Sequence, residues 1–376
     1  MKKLLIILFL FIIIVGHNLD YTLPDMVAHF QAEEMEEAQA QIVLGQGEEV
    51  TFEAIEFLED MDLDEEDILT DLSFFSTDTL GLFYEKLDIV NNKGDNETLN
   101  ISLWVLEPVS QEELDYIDQR IWDYLYSFEE EALELTFSGW LSQGRIEDIV
   151  SQAMKSGSYH SAIIYRIDHS LNYSYDSSGG VETQLEVNRQ NHHDQEQEDS
   201  VIDYVEATIN DLDLRNEALS DVDRIRSVHD HIIYNAAYGL PSDEGYQADR
   251  SGRDVDTLYD VSIHSPFAIT EYGRGVCQSY ATLFQKFCDQ LEIPCQFVLG
   301  TRNNRGLESH AWNKVQLDEI WYNIDLTWND PILGQEPNPL FSGAERDQYF
   351  LKSDQTFEQD HSFETGFEYP APYDYE

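Results

Sequence analysis

The run His310-Ala311-Trp312-Asn313-Lys314-Val315-Gln316-Leu317, the pair Asp318-Glu319 and the run Ile320-Trp321-Tyr322-Asn323-Ile324-Asp325-Leu326-Thr327-Trp328 decide how this chain folds. Both runs read as strands, and the acidic pair between them reads as a turn. A two-residue turn sets Leu317 opposite Ile320. Counting outward, His310 then faces Thr327 and Trp312 faces Asp325. Paired residues share a sheet face, and side chains alternate along each strand. His310 and Asp325 are therefore expected on one face as diagonal neighbours, roughly 7 Å apart between backbones and within reach of each other's side chains. A three-residue turn would send them to opposite faces. The plainer alternative is a pair of ordinary strands whose His and Asp face solvent.

Upstream, Gly273-Arg274-Gly275-Val276-Cys277 opens a helix whose buried face is Ala281, Phe284, Phe287 and Leu291. Cys277 falls in the first turn, where unpaired N–H groups and the helix dipole favour negative charge on sulfur. A lone Cys at a helix start is weak evidence by itself, since most single thiols are buried filler. Joined to His310 and Asp325 it completes a thiol acyl-transfer set: a nucleophile, an imidazole to take and return its proton, and a carboxylate to hold the imidazole. The backbone N–H of Cys277 is a natural oxyanion donor. Trp312 and Trp328 could offer an indole N–H or simply wall the site, and Gln278 is a further oxyanion or substrate-cleft candidate.

These residues also carry a resemblance. Gly-Val-Cys-Gln-Ser-Tyr-Ala (275–281), His-Ala-Trp-Asn (310–313) and Trp-Tyr-Asn-Ile-Asp-Leu-Thr-Trp-Asn-Asp-Pro (321–331) look like the bacterial branch of the transglutaminase-like superfamily, in that order and spacing. The likeness takes in His229-Asp230-His231-Ile232 and His264-Ser265-Pro266-Phe267, so it spans about residues 200–352. It implies an α+β, papain-like core in which the helix bearing the Cys packs on an antiparallel sheet. It also implies Cys277, His310 and Asp325 as a triad, with no metal and no cofactor. Ser279 departs from the pattern, because many relatives have Gly there. Residues 78–199 resemble the small α+β segment that often precedes this core.

Outward from the core, the organisation is expected to be a signal peptide or membrane anchor over 1–18, an acidic and partly disordered segment over 19–77, an α+β accessory domain over 78–199, the catalytic domain over 200–352 and an acidic tail over 353–376. Met-Lys-Lys followed by an apolar run from Leu4 to Val15 is the export signal. No small-x-small cleavage site follows it, so retention as an anchor stays open. Asp60, Asp62 and Asp64 to Asp71 imitate a calcium loop, but Glu65 stands where its sharp turn needs Gly. In the accessory domain, Ser110 and Glu113 form a capping box. His192-His193-Asp194 reads as a solvated linker rather than a metal site. A helix is expected over Ser220 to Ala237, where packing accounts for His229 and His231.

The 376 residues hold 75 acidic and 21 basic side chains, for a formal charge of −54. Binding to nucleic acid or to an anionic membrane surface needs clustered Lys and Arg, so both are excluded. Membrane contact is expected only through the N-terminal segment. With 42% hydrophobic and 12% aromatic residues the chain is no disordered polyanion; its acidic surface suits high salt. Three cysteines are too few for a disulfide scaffold. Cys277 and Cys288, eleven apart on one helix, lie about 16 Å apart and cannot pair. Cys288 and Cys295 could pair or could be buried apolar residues.

The expected activity is extracytoplasmic thiol acyl transfer on protein or peptide amides, with cell-wall or surface proteins as candidate partners. Water as acceptor makes a protease or amidase, and a Lys amine makes a cross-linking transglutaminase. The alternative is a catalytically silent cell-surface binding module on the same fold.

Overall fold

The computed structural model describes residues 40–52, 63–239, 257–302, 308–330 and 347–375. The export-type segment 1–18 and Asp60 and Asp62 of the calcium-like spacing lie outside the described residues. Among the described residues, no helix is long and apolar enough to cross a membrane. The chain divides into two compact units, Met1–Arg120 with Leu133–Ile149 and His169–Val187, and Ile121–Ala132 with Val150–Asp168 and Asn188–Glu376.

The first unit is built on a sheet of β1 (Ala40–Gly45), β2 (Gly81–Val90) and β3 (Asn96–Leu106) in the order β1-β3-β2. β1 runs parallel to β3, so the acidic N-terminal stretch contributes a strand to this sheet. Alternation puts Leu87, Ile89, Leu99, Ile101, Leu103 and Val105 into one core with Ile42 and Leu44. Helices α1 (Gln111–Leu125) and α2 (Gln143–Met154) follow, and β4 (Leu133–Ser138) pairs with β6 (Val181–Asn191) in a second sheet completed by β5 (Ile164–Tyr175). Ser110 Oγ accepts from Glu113 N at 3.2 Å at the start of α1, as its capping signal requires. Ser158 caps a short helix, α3 (Tyr159–Ile163), ahead of β5.

The second unit packs helices on an antiparallel sheet. α4 (Gln195–Asp211), α5 (Asp221–Asn235) and α6 (Pro266–Tyr272) precede α7 (Cys277–Gln290), and short β7 (Ala237–Tyr238), β8 (Thr257–Leu258), β9 (Val261–Ser262) and β10 (Arg274–Gly275) lie among them. α5 starts on the box formed by Ser220 and Asp223. The sheet comprises β11 (Cys295–Arg302), β12 (Glu308–Leu317), β13 (Ile320–Ile324) and β14 (His361–Phe363), in the order β13-β12-β11-β14. One core joins Ile225, Val228 and Ile232 of α5 to Tyr280, Phe284 and Phe287 of α7 and to Val315 and Ile324 of the sheet. This is the α+β arrangement expected, with the Cys-bearing helix on an antiparallel sheet.

Several local expectations need correction. The linker reading of 192–194 does not hold: His193 is 5% exposed, and its Nε2 donates to Glu198 Oε2 at 2.9 Å. Asp194 caps α4 by accepting from Gln197 N at 2.9 Å, which folds this stretch onto the helix start. For Cys288 and Cys295, of the two alternatives the sequence leaves open the structure shows the second, both being buried and unlinked. The stretch 353–376, expected as a tail, holds α9 (Asp354–Phe357) and β14, and β14 pairs with β11 from Gly300↔Phe363 to Arg302↔His361.

Candidate active site

The β12–β13 hairpin has the register the sequence predicts, from Leu317↔Ile320 to Asn313↔Ile324. Asp318 and Glu319 have φ of 47° and 67°, the left-handed pair that a two-residue turn needs to follow the twist of its strands. The second strand stops short of expectation, at Ile324. Asp325 instead becomes the N-cap of α8 (Leu326–Asn329), its Oδ1 accepting from Trp328 N at 3.1 Å. Capping turns the carboxylate inward, and Asp325 is fully buried.

His310 Nε2 donates to Asp325 Oδ2 at 2.7 Å, and His310 is 4% exposed. With Nε2 engaged, Nδ1 is the nitrogen left for Cys277, which lies near enough to influence this imidazole. Burial alone would lower the pKa of His310. The Asp325 charge and hydrogen bond, with a further contribution from Cys277, overcome that and raise it to about 10. Burial would raise the Asp325 carboxyl, but His310 and then His361 hold it well below the usual carboxylate range.

Cys277 is the first residue of α7, after the N-cap Val276, and it is half-buried. Gly275 is required just before it, since a Cβ there would come within 2.1 Å of Ser279 Oγ. Ser279 uses that space to accept from Val276 N at 2.8 Å. This serine, the departure from the family pattern, therefore braces the turn that presents the thiol.

The other candidates separate on inspection. Trp312 is 1% exposed and its indole N–H donates to Asn323 Oδ1 at 3.1 Å, so it walls the site and offers no oxyanion donor. Its ring lies 6.0 Å from that of His310. Trp328 also packs on this imidazole, with ring centroids 5.7 Å apart. Gln278 Nε2 donates to Ala162 O at 2.7 Å, and its Oε1 lies 3.2 Å from His264 Nδ1. It lines a cavity of about 740 Å³ together with Ala162, Tyr165, His264, Phe297 and Leu299.

Two further residues have no motif in the sequence to mark them. The Tyr238 hydroxyl faces both the backbone and the thiol of Cys277. His361 Nε2 lies 3.2 Å from Asp325 Oδ2. Among the described residues, His310, Asp325 and His361 are the one group of three whose ligand-type atoms lie within 4.8 Å of one another. Here those atoms are committed to hydrogen bonds.

Residues 212–326, the stretch that carries Cys277, His310 and Asp325, match the model of the transglutaminase-like superfamily. The chain is similar to kyphoscoliosis peptidase from Mus musculus, 26% identical over 168 residues that cover 42% of this chain and 23% of that protein. It is also similar to kyphoscoliosis peptidase from Homo sapiens, 25% identical over 158 residues covering 40% and 22%. The chain thus spans under a quarter of the length of these relatives. Among solved structures it aligns with a TGase at 15% identity, covering 81% of this chain and 78% of that one with a TM-score of 0.27. A provisionally assigned cysteine protease from Cytophaga hutchinsonii aligns at 15% identity over 44% of this chain and 65% of that one, with a TM-score of 0.23. Scores this low lend no weight to the fold, which rests on the elements described above.

Proposed function

We propose that this chain is an exported cysteine enzyme that performs thiol acyl transfer on protein or peptide amides. The observation that carries the reading is the buried His310–Asp325 hydrogen bond of 2.7 Å, with Cys277 close enough to contribute to the electrostatics of the same imidazole. The Asp325 charge and hydrogen bond raise the pKa of His310 against the opposing effect of burial, so the imidazole can take up the proton that the attacking Cys277 gives up. In this reading Cys277 sulfur attacks the amide carbonyl, His310 protonates the departing amine and a thioester remains. Water then enters, gives its proton to His310 and releases the acid, or a Lys amine does the same and leaves a cross-link. Hydrolysis is preferred, because it needs no second binding site. The cavity beside Gln278 is the proposed acyl-donor cleft.

Iodoacetamide at about pH 6 to 7 tests the thiolate. Selective alkylation of Cys277, lost in His310→Ala, is expected. A Cys277 no more reactive than in denatured protein would favour a silent binding module. Casein cleavage compared with incorporation of a fluorescent amine then separates hydrolysis from transfer.

A further inference from the structure

His361 lies beyond the residues that match the superfamily core, on a strand that only the fold brings to the site. β14 reaches β11 at Gly300, where a Cβ would come within 2.1 Å of Ser362 O and 2.5 Å of the Trp312 ring. The bare backbone there lets His361 in. The imidazole is 1% exposed, boxed by Trp328 and Phe357 with ring centroids 4.6 Å away and by Trp312 at 5.1 Å. An apolar ring would fill such a box, yet both nitrogens of His361 meet carboxylates. Nε2 lies 3.2 Å from Asp325 Oδ2 and Nδ1 lies 2.7 Å from Asp360 Oδ1. Asp360 is held in turn by the Tyr349 hydroxyl, which donates to its Oδ2 at 2.6 Å.

We propose that His361 is a positioning residue that shares Asp325 Oδ2 with His310, fixing the carboxylate and moderating its pull on the His310 imidazole. It rests on the acyl-transfer reading for its purpose, though not for its geometry. Asp325 Oδ1 is tied to Trp328 N and Oδ2 to two imidazoles, so the carboxylate cannot turn away from His310. A donor to a carboxylate stabilises its charged form. Without His361, Asp325 becomes a stronger base and draws harder on the Nε2 proton of His310. The titratable and charged groups that face His361 are His310 on β12, Asp325 at the start of α8, Tyr349, Asp360 and, across the β11–β14 pair, Arg302.

The test follows the His310 ring resonance by NMR across pH in the full-length protein labelled at histidine, with turnover of a p-nitrophenyl ester measured alongside. In His361→Ala the His310 midpoint is expected to rise by about half a pH unit or more, and Cys277-dependent turnover to fall about tenfold. His361→Gln, whose amide can still donate to Asp325, is expected to recover most of both. Asp360→Asn, which keeps the ring but weakens its orientation, should shift the midpoint the same way by less. A folded His361→Ala that leaves the His310 midpoint unchanged would overturn the proposal. Should His361→Ala not fold, Asp360→Asn decides it, and a His310 midpoint unchanged there would overturn the proposal. Wild-type protein with no Cys277-dependent turnover would instead remove the acyl-transfer reading, while the NMR midpoints still decide whether His361 acts on the Asp325–His310 pair.

Discussion

Under the proposed acyl transfer, Tyr238 would separate two kinds of chemistry at the Cys277 sulfur. It stands opposite Gly275 in the parallel β7–β10 pair, two residues before the thiol, with its hydroxyl turned to Cys277. Burial, then the neighbouring Cys277, push its pKa up, so the phenol keeps its proton and remains a donor. Attack on a carbonyl builds an oxyanion that such a donor can stabilise, whereas alkylation by iodoacetamide builds none. Tyr238→Phe is therefore expected to slow thioester formation from p-nitrophenyl acetate by about tenfold to a hundredfold and to leave the alkylation rate of Cys277 unchanged. Equal loss of both rates would contradict this role. No motif marks Tyr238 or His361 in the sequence, because each gains its meaning from a neighbour far away along the chain.

At the scale of elements, the β12–β13 hairpin does most to place the site. Its register was legible, because apolar and aromatic residues fill both runs and the intervening acidic pair is too short for anything but a tight turn. What was not legible is that the second strand ends at Ile324. Asp325 is chemically suited both to a strand facing His310 and to a helix N-cap, and the cap prevails because it satisfies Trp328 N as well. The turn itself is strained, with two side chains at positive φ where Asn-Gly is the relaxed choice. Glu319→Gly is expected to stabilise the protein by a net of about 0.5 kcal/mol, the relief of left-handed strain less the greater entropy of glycine in the unfolded chain. The urea midpoint would show this, and a lower midpoint would mean that the Glu319 side chain matters more than its backbone.

For the whole molecule, the charge of −54 makes any buried carboxylate notable, and Glu198 is one, 3% exposed. It accepts from Tyr159 Oη at 2.6 Å, from His193 Nε2 at 2.9 Å and from Lys286 Nζ. Burial would raise its pKa, but His193 and Lys286 lower it from 4.5 to about 2. A depressed carboxylate lends stability that is present above pH 4.5 and fades as pH falls towards 2. Glu198→Gln is expected to cost about 3 kcal/mol at neutral pH, measured by urea unfolding. The gap from wild type should shrink below pH 4.5, and a gap independent of pH would refute the linkage. The acidic surface does not announce this cluster, since Glu198 follows a helix cap like any exposed residue and only packing against α7 buries it.

The amino-acid sequence by itself determined the local pieces: a thiol at a helix start after Gly-Arg-Gly-Val, a hairpin with a set register, capped helices, and His310 and Asp325 on one face. Those follow from short-range rules of capping, periodicity and turn geometry, which act over a few residues. Tertiary structure alone decided that His361 shares the Asp325 oxygen, that Tyr238 meets the thiol, and that the Trp312 indole is spent on Asn323. Each of these depends on long-range packing, in which burial leaves a polar group no water and so commits it to whichever partner the fold brings alongside.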